Sequence, residues 1–119
     1  MGGGGNKVLG RWGEDQACLF LTRHGFRIIE RNFYATMGEI DIVAIKGDDY
    51  YFVEVKTRRD AALATDLAVT KPKLQKLKKT MKYYCYRHGI GDKALVVASL
   101  LVFLRTLEKT ARFNFTVLY

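Results

Sequence analysis

The chain has 119 residues, 49% of them hydrophobic and 13% aromatic, and carries a net charge of +8. That length holds one domain with a real core, and the positive excess attracts polyanions, either nucleic acid or an anionic membrane surface. Cys18 and Cys85 stand far apart, with no CxxC and no histidine-rich cluster, which argues against a zinc site or a disulfide framework and for two reduced core thiols. Residues 1–9 open with a glycine run that lacks the apolar core of a signal peptide, so a disordered tail is expected there, with a single domain over 10–119.

Gly10 to His24 reads as a helix ended by Gly25, with Glu14, Ala17, Cys18 and Leu21 on one stripe. Glu14 thus shares the core-facing side, a costly position for a carboxylate without a partner. Arg27–Tyr34 is expected as a first strand, Glu39–Ile45 and Tyr50–Thr57 as the arms of a hairpin, and Arg58–Val69 as a mobile loop. Pro72 opens an amphipathic helix to about His88, with Leu74, Leu77, Met81, Tyr84 and Cys85 as its apolar stripe. Ala94–Leu104 is a continuous apolar run suited to a strand buried on both faces, and Arg112–Tyr119 alternates as a fifth strand. The run is too short to span a bilayer. The expected fold is α/β, a mixed five-stranded central sheet flanked by helices, in a cytoplasmic protein without a membrane partner.

The chemistry concentrates in the hairpin. Centring it between Gly47 and Asp48, with a loop of two residues or four, sets Asp41 opposite Glu54 and Glu39 opposite Lys56. Directly opposed side chains on one sheet face have Cβ atoms about 4.5–5.5 Å apart, where two carboxylates repel. A divalent cation between them reverses the sign. Oxygen donors on adjacent strands suit Mg²⁺ or Mn²⁺, with the Val55 carbonyl as a further ligand beside Asp41 and Glu54. Lys56 shares the Glu54 face, where an ammonium positions water and offsets charge developing on a phosphoryl group. An isolated Glu-Val-Lys triplet usually marks nothing more than a solvated strand face. Here Tyr50 and Phe52 share the Glu54 face, Asp41 opposes Glu54, and Glu14 faces inward from a helix.

The second helix carries Lys71, Lys73, Lys76, Lys78, Lys79 and Lys82 around much of its surface. Such lysines commonly solvate an exterior. Beside a candidate phosphate-cleaving site, Lys73, Lys76 and Lys79, with Arg58, are equally candidates for holding a nucleic-acid backbone.

Taken together, Glu14, Gly38-Glu39-Ile40-Asp41 and Val53-Glu54-Val55-Lys56 resemble the catalytic pattern of the PD-(D/E)XK nuclease superfamily, including the small archaeal Holliday-junction resolvases. More narrowly, the chain resembles the YraN-like family of endonuclease-like bacterial proteins. The matching features are Gly13-Glu14, Gly25-Phe26, Arg31-Asn32, the two hairpin motifs, Arg58 and the segment from Val69-Thr70 to Lys73 and Leu77. The resemblance implies a restriction-endonuclease-like fold, Asp41 and Glu54 as metal ligands, Lys56 as catalytic lysine and Glu14 as a helix-borne acid. It also implies a homodimer, with DNA favoured over RNA as partner. Two departures stand out: Ile40 replaces the superfamily's proline, and Leu95 stands where the family usually has a late-strand aspartate.

The reading is a nucleic-acid-binding, Mg²⁺- or Mn²⁺-dependent endonuclease that recognises structure rather than base sequence, since no base-reading element is identifiable. Its rivals are a non-catalytic nucleic-acid-binding module of the same fold and a protein-interaction adaptor.

Overall fold

The computed structural model of the chain describes residues 3–60, 69–91 and 93–119. In chain order it contains α1 (Gly3–Arg23), β1 (Arg27–Ala35), β2 (Gly38–Lys46), β3 (Asp49–Arg59), α2 (Lys71–Arg87), β4 (Leu95–Arg105) and β5 (Thr110–Val117). All seven expected elements are present. The largest difference is at the start, where α1 extends through residues expected to be a disordered tail; residues 1 and 2 lie outside the described residues. Each glycine costs a helix only about 1 kcal/mol relative to alanine, less than the nucleation that the packed part of α1 already supplies. The expected mobile loop is also shorter: Arg58 and Arg59 continue β3, pairing with Phe103 and Leu104, while residues 61–68 lie outside the described residues.

The strands form one mixed sheet in the order β1-β2-β3-β4-β5. All neighbours are antiparallel except β3 and β4, whose parallel pairing requires a crossover connection, and α2 occupies it. The architecture is α/β and consistent with a restriction-endonuclease-like fold. One face packs against α1 through Ala17 and Leu21 of the helix and Ile42, Ala44, Val53, Leu100 and Val102 of the sheet. The other packs against α2 through Leu77, Met81, Tyr84 and Cys85, over Phe33, Val43, Phe52 and Val97. β3 and β4 therefore have cores on both sides, which is why β4 reads as an uninterrupted apolar run. Both thiols are free, and burial pushes both up in pKa, as inert core cysteines require. His24 and His88 place Nδ1 2.8 and 3.0 Å from Phe20 O and Tyr84 O, carbonyls in the last turns of the two helices. Among the described residues no helix is long and apolar enough to cross a membrane.

The β2–β3 turn takes the shorter of the two expected lengths. Lys46 pairs with Asp49, leaving Gly47 (φ +62°) and Asp48 as a two-residue loop. Positive φ at its first position only is the type II′ requirement that glycine meets without a steric penalty.

Gly13 sets how closely α1 approaches β3. A Cβ there would lie 1.8 Å from Thr57 Oγ1 and 2.7 Å from Thr57 Cβ, so no rotation of Thr57 makes room for it. The absent side chain lets the helix bring Glu14, the next residue, down beside the hairpin. Gly13→Ala should accordingly destabilise the fold by about 1–3 kcal/mol in denaturant titrations, the usual cost of overpacking. Thr57→Gly in the same chain should recover part of that cost; strictly additive effects would show that this close approach is not what limits the helix.

Candidate active site

The hairpin register agrees with the turn arithmetic from Lys46↔Asp49 to Ile42↔Val53. There the ladder ends, one position short of Asp41 and Glu54, and it never reaches Glu39 and Lys56. The reason lies in a kink shared by β1 and β2. Ile42 packs toward α1 but Ile40 packs toward α2, although regular pleating sends residues two apart to the same face. In β1, directly across, Arg31 pairs with Ile42 and Phe33 with Ile40, and the intervening Asn32 has φ +56°. Asn32 is one of the few residue types that accept this left-handed conformation. Both strands change phase together at Asn32 and Asp41, so the sheet face turns over locally. Asp41 then reaches toward β3, where its Oδ2 accepts the Val55 N–H at 2.8 Å.

This geometry leaves Asp41 strained electrostatically. Burial pushes its pKa from 3.8 up to about 6, opposed by the Val55 hydrogen bond and reinforced by the negative charges of Glu14, Glu39 and Glu54. Three of the expected acids, Glu14, Asp41 and Glu54, are thus brought into one electrostatic neighbourhood. Among the described residues, however, no three acidic, histidine or cysteine side chains are arranged to hold a metal by themselves.

Glu14 is anchored rather than poised. Its Oε1 accepts from Arg31 Nε at 3.1 Å, Arg31 Nη2 at 2.9 Å and Asn32 Nδ2 at 2.9 Å, and its side chain is 14% exposed. Arg31 also bridges to Asp15 at 2.8 Å. The partner that a core-facing Glu14 demanded is therefore the Arg31-Asn32 pair. Sequence reasoning noted these two residues without assigning them a role; a turn-prone asparagine inside a strand was the available signal.

Glu54 is buried, with its side chain 9% exposed, and lies on the α2 face of the sheet. Its Oε1 is 2.8 Å from Lys73 Nζ, while its Oε2 is buried with no hydrogen-bond partner among the described residues. Lys73, read from sequence as a nucleic-acid contact, is placed by the structure on the candidate metal ligand. Lys76 lines the same small cavity of about 170 Å³ as Lys73, Glu39 and Glu54; Lys79, farther along α2, is exposed. Lys56 is half-buried in a groove of about 580 Å³ whose other walls include Leu9, Gly10, Arg58, Arg59 and Lys73. Arg58 also lines this groove, and its Nη1 donates to Thr57 O at 2.9 Å. Leu95, at the family's aspartate position, pairs with Tyr50, whereas Glu54 pairs with Ser99. Four strand steps, about 13 Å, separate them, so the replacement leaves the acids around Glu54 untouched.

The raised pKa of Asp41 has a definite sign. The folded protein holds a proton there that the unfolded chain releases, so unfolding free energy falls as pH rises from about 4 to 6. Asp41→Asn, which keeps an acceptor for Val55 N–H, should remove that slope. In chelator it should be more stable than wild type near pH 7, by no more than roughly 3 kcal/mol. Denaturant titrations across this pH range measure both; an unaltered slope would relieve Asp41 of the assignment.

Comparison with known proteins matches residues 13–116 to the family described as Uncharacterised protein family UPF0102. A UPF0102 protein of Syntrophomonas wolfei is 45% identical over 80 residues, covering 66% of this chain and 70% of its own. One from Campylobacter jejuni is 44% identical over 81 residues (67% and 70%), and one from Geobacter sulfurreducens 47% over 88 residues (73% and 69%). The matched span runs from Gly13, where α1 meets β3, to the end of the last strand, so the chain belongs to the UPF0102, or YraN, family.

Proposed function

We propose that this protein binds nucleic acid and hydrolyses phosphodiester bonds with Mg²⁺ or Mn²⁺, in the manner of the PD-(D/E)XK nucleases. The observation that carries the reading is the buried Oε2 of Glu54, without a hydrogen-bond partner among the described residues, in the electrostatic neighbourhood of Asp41 and two residues along β3 from Lys56, which lines the cationic groove with Arg58 and Arg59. A buried carboxylate oxygen without a donor is costly, and a hard cation that accepts oxygen ligands removes that cost. Asp41 fits the same role, because negative neighbours are part of what raises its pKa. Asp41, Glu54 and the Val55 carbonyl would hold the ion, which when bound supplies Lewis-acid polarisation of the phosphate and an activated water.

The chain's own groups divide the remaining work. Lys56 follows Glu54 by two residues on β3 and faces the groove, where its ammonium orients water and stabilises charge on the phosphoryl oxygens. Arg58 and Arg59 extend the positive wall in the direction that a phosphate backbone would run. The first turn of α2 contains no acidic residue, only Lys71 and Lys73, at the helix end that the macrodipole already makes positive. Such crowding disfavours the helix and favours an anionic partner there. Glu14 acts through Arg31 and Asn32, holding the kink that delivers Asp41. A structure-selective DNA substrate remains the form of this reading, since no described element presents a base-reading surface.

One observation favours a binding module without catalysis: the candidate ligand Glu54 is already paired with Lys73. A panel of duplex, nicked, flap, four-way and single-stranded substrates with Mg²⁺ or Mn²⁺ separates the two. Lys56→Ala should preserve folding and metal binding while lowering cleavage by about 10²–10⁴-fold, and Glu54→Ala should lose metal binding and cleavage together. A wild type that binds these substrates but cuts none with either metal is a binding module. Replacing Lys73, Lys76 and Lys79 by alanine should also flatten the salt dependence of duplex affinity, by about 0.9 in log–log slope for each phosphate no longer neutralised.

A further inference from the structure

Lys73 belongs to two places at once. Its Nζ pairs with Glu54 inside the small cavity, yet its side chain is 47% exposed and also lines the cationic groove with Lys56, Arg58 and Arg59. Its backbone is fixed: Lys73 N donates to the side chain of the N-cap Thr70 at 3.4 Å, with Pro72 in the first turn. What remains free is a four-carbon stem ending in a compact charge, which reaches either environment without moving the helix. Two forces oppose its present position. The positive pole of α2 repels a first-turn ammonium, and Lys71 and Lys76 stand nearby with the same charge. Glu54 provides the compensating attraction, and among the described residues just one of its oxygens has a partner.

We propose that Lys73 is a displaceable counter-ion for Glu54. It neutralises the buried carboxylate; a divalent cation bound at Glu54 would replace it there and release it into the groove, where it would meet a polyanion backbone. This rests on the metal-centre reading above and adds to it that cation and polyanion bind with positive coupling through one side chain. Lys73 is a positioning residue here, and no bond is made or broken at it.

The test is a Mn²⁺ titration by calorimetry on the whole chain, without nucleic acid, at neutral pH. Lys73→Met keeps the apolar stem and removes the competitor; it should bind Mn²⁺ roughly ten- to hundred-fold tighter than wild type, the worth of one charge-assisted hydrogen bond. Lys73→Arg, whose fork engages a carboxylate bidentately, should bind Mn²⁺ more weakly, and it decides the matter if Lys73→Met fails to fold. Added Mn²⁺ at constant ionic strength should strengthen duplex-DNA binding in wild type and do so less in Lys73→Met. Mn²⁺ affinities that are equal in wild type and the folded variants would overturn the counter-ion role and leave the metal centre standing. An equal Mn²⁺-dependent gain in DNA affinity would overturn release into the groove. If neither wild type nor any variant binds Mn²⁺, the metal centre fails and this proposal fails with it.

Discussion

The hydrogen bond from Val55 N–H to Asp41 is the constraint on which the candidate site depends. A backbone donor that loses its ladder partner inside a sheet needs another acceptor, and a carboxylate at the kink provides it. The bond lets β2 and β3 part beyond Ile42 and Val53 without leaving that amide unpaired. In the space so made, Glu54 and Lys56 project from a strand no longer covered by its neighbour. The kink itself is stabilised from the opposite side, where Arg31 and Asn32 grip Glu14 and tie α1 to β1. Gly13 permits that grip by letting the helix sit against Thr57. The acids are therefore linked mechanically: the helix-borne one fixes the bend that aims the strand-borne one.

Charge is arranged asymmetrically about this centre. Glu14, Asp41, Glu39 and Glu54 share one electrostatic neighbourhood, as the raised pKa of Asp41 records. Lys56, Arg58, Arg59 and Lys73 face the adjoining groove. A net basic protein with a local acidic focus repels a bare polyanion at the focus and attracts it at the rim. A divalent ion at the acids would lessen the repulsion and, by freeing Lys73 from Glu54, would add to the positive rim.

Much of this was legible in the residues, and the missing parts share a cause. Periodicity located the helices and strands of the described residues, because Ala17 and Leu21 or Leu77, Met81 and Tyr84 repeat at helical spacing and the continuous run in β4 suits a strand buried on both faces. The glycine in the β2–β3 turn set the register, because a short loop leaves few pairings open. What escaped was the departure from regular pleating at Asn32 and Asp41, since arithmetic on a hairpin presumes straight strands. The start of α1 escaped because glycine propensity is local while helix extension is cooperative. The Lys73–Glu54 pair joins residues separated by the end of β3 and a whole connecting segment, and no local pattern reports such a pairing.

The division of the acids and the cation between distant parts of the chain has a consequence for cooperativity. Glu14, Asp41, Glu54 and Lys56 all lie in α1 through β3, a stretch closed by short turns and so assembled at small loop-closure entropy. Lys73 arrives with α2, through the longer connection that the parallel β3–β4 pairing requires. With the meander formed and α2 undocked, Glu14 would keep Arg31 and Asp41 would keep the Val55 N–H, but Glu54 would lose Lys73. Repulsion between the buried Glu54 carboxylate and its acidic neighbours would disfavour that form, so docking of α2 supplies the charge that the meander lacks.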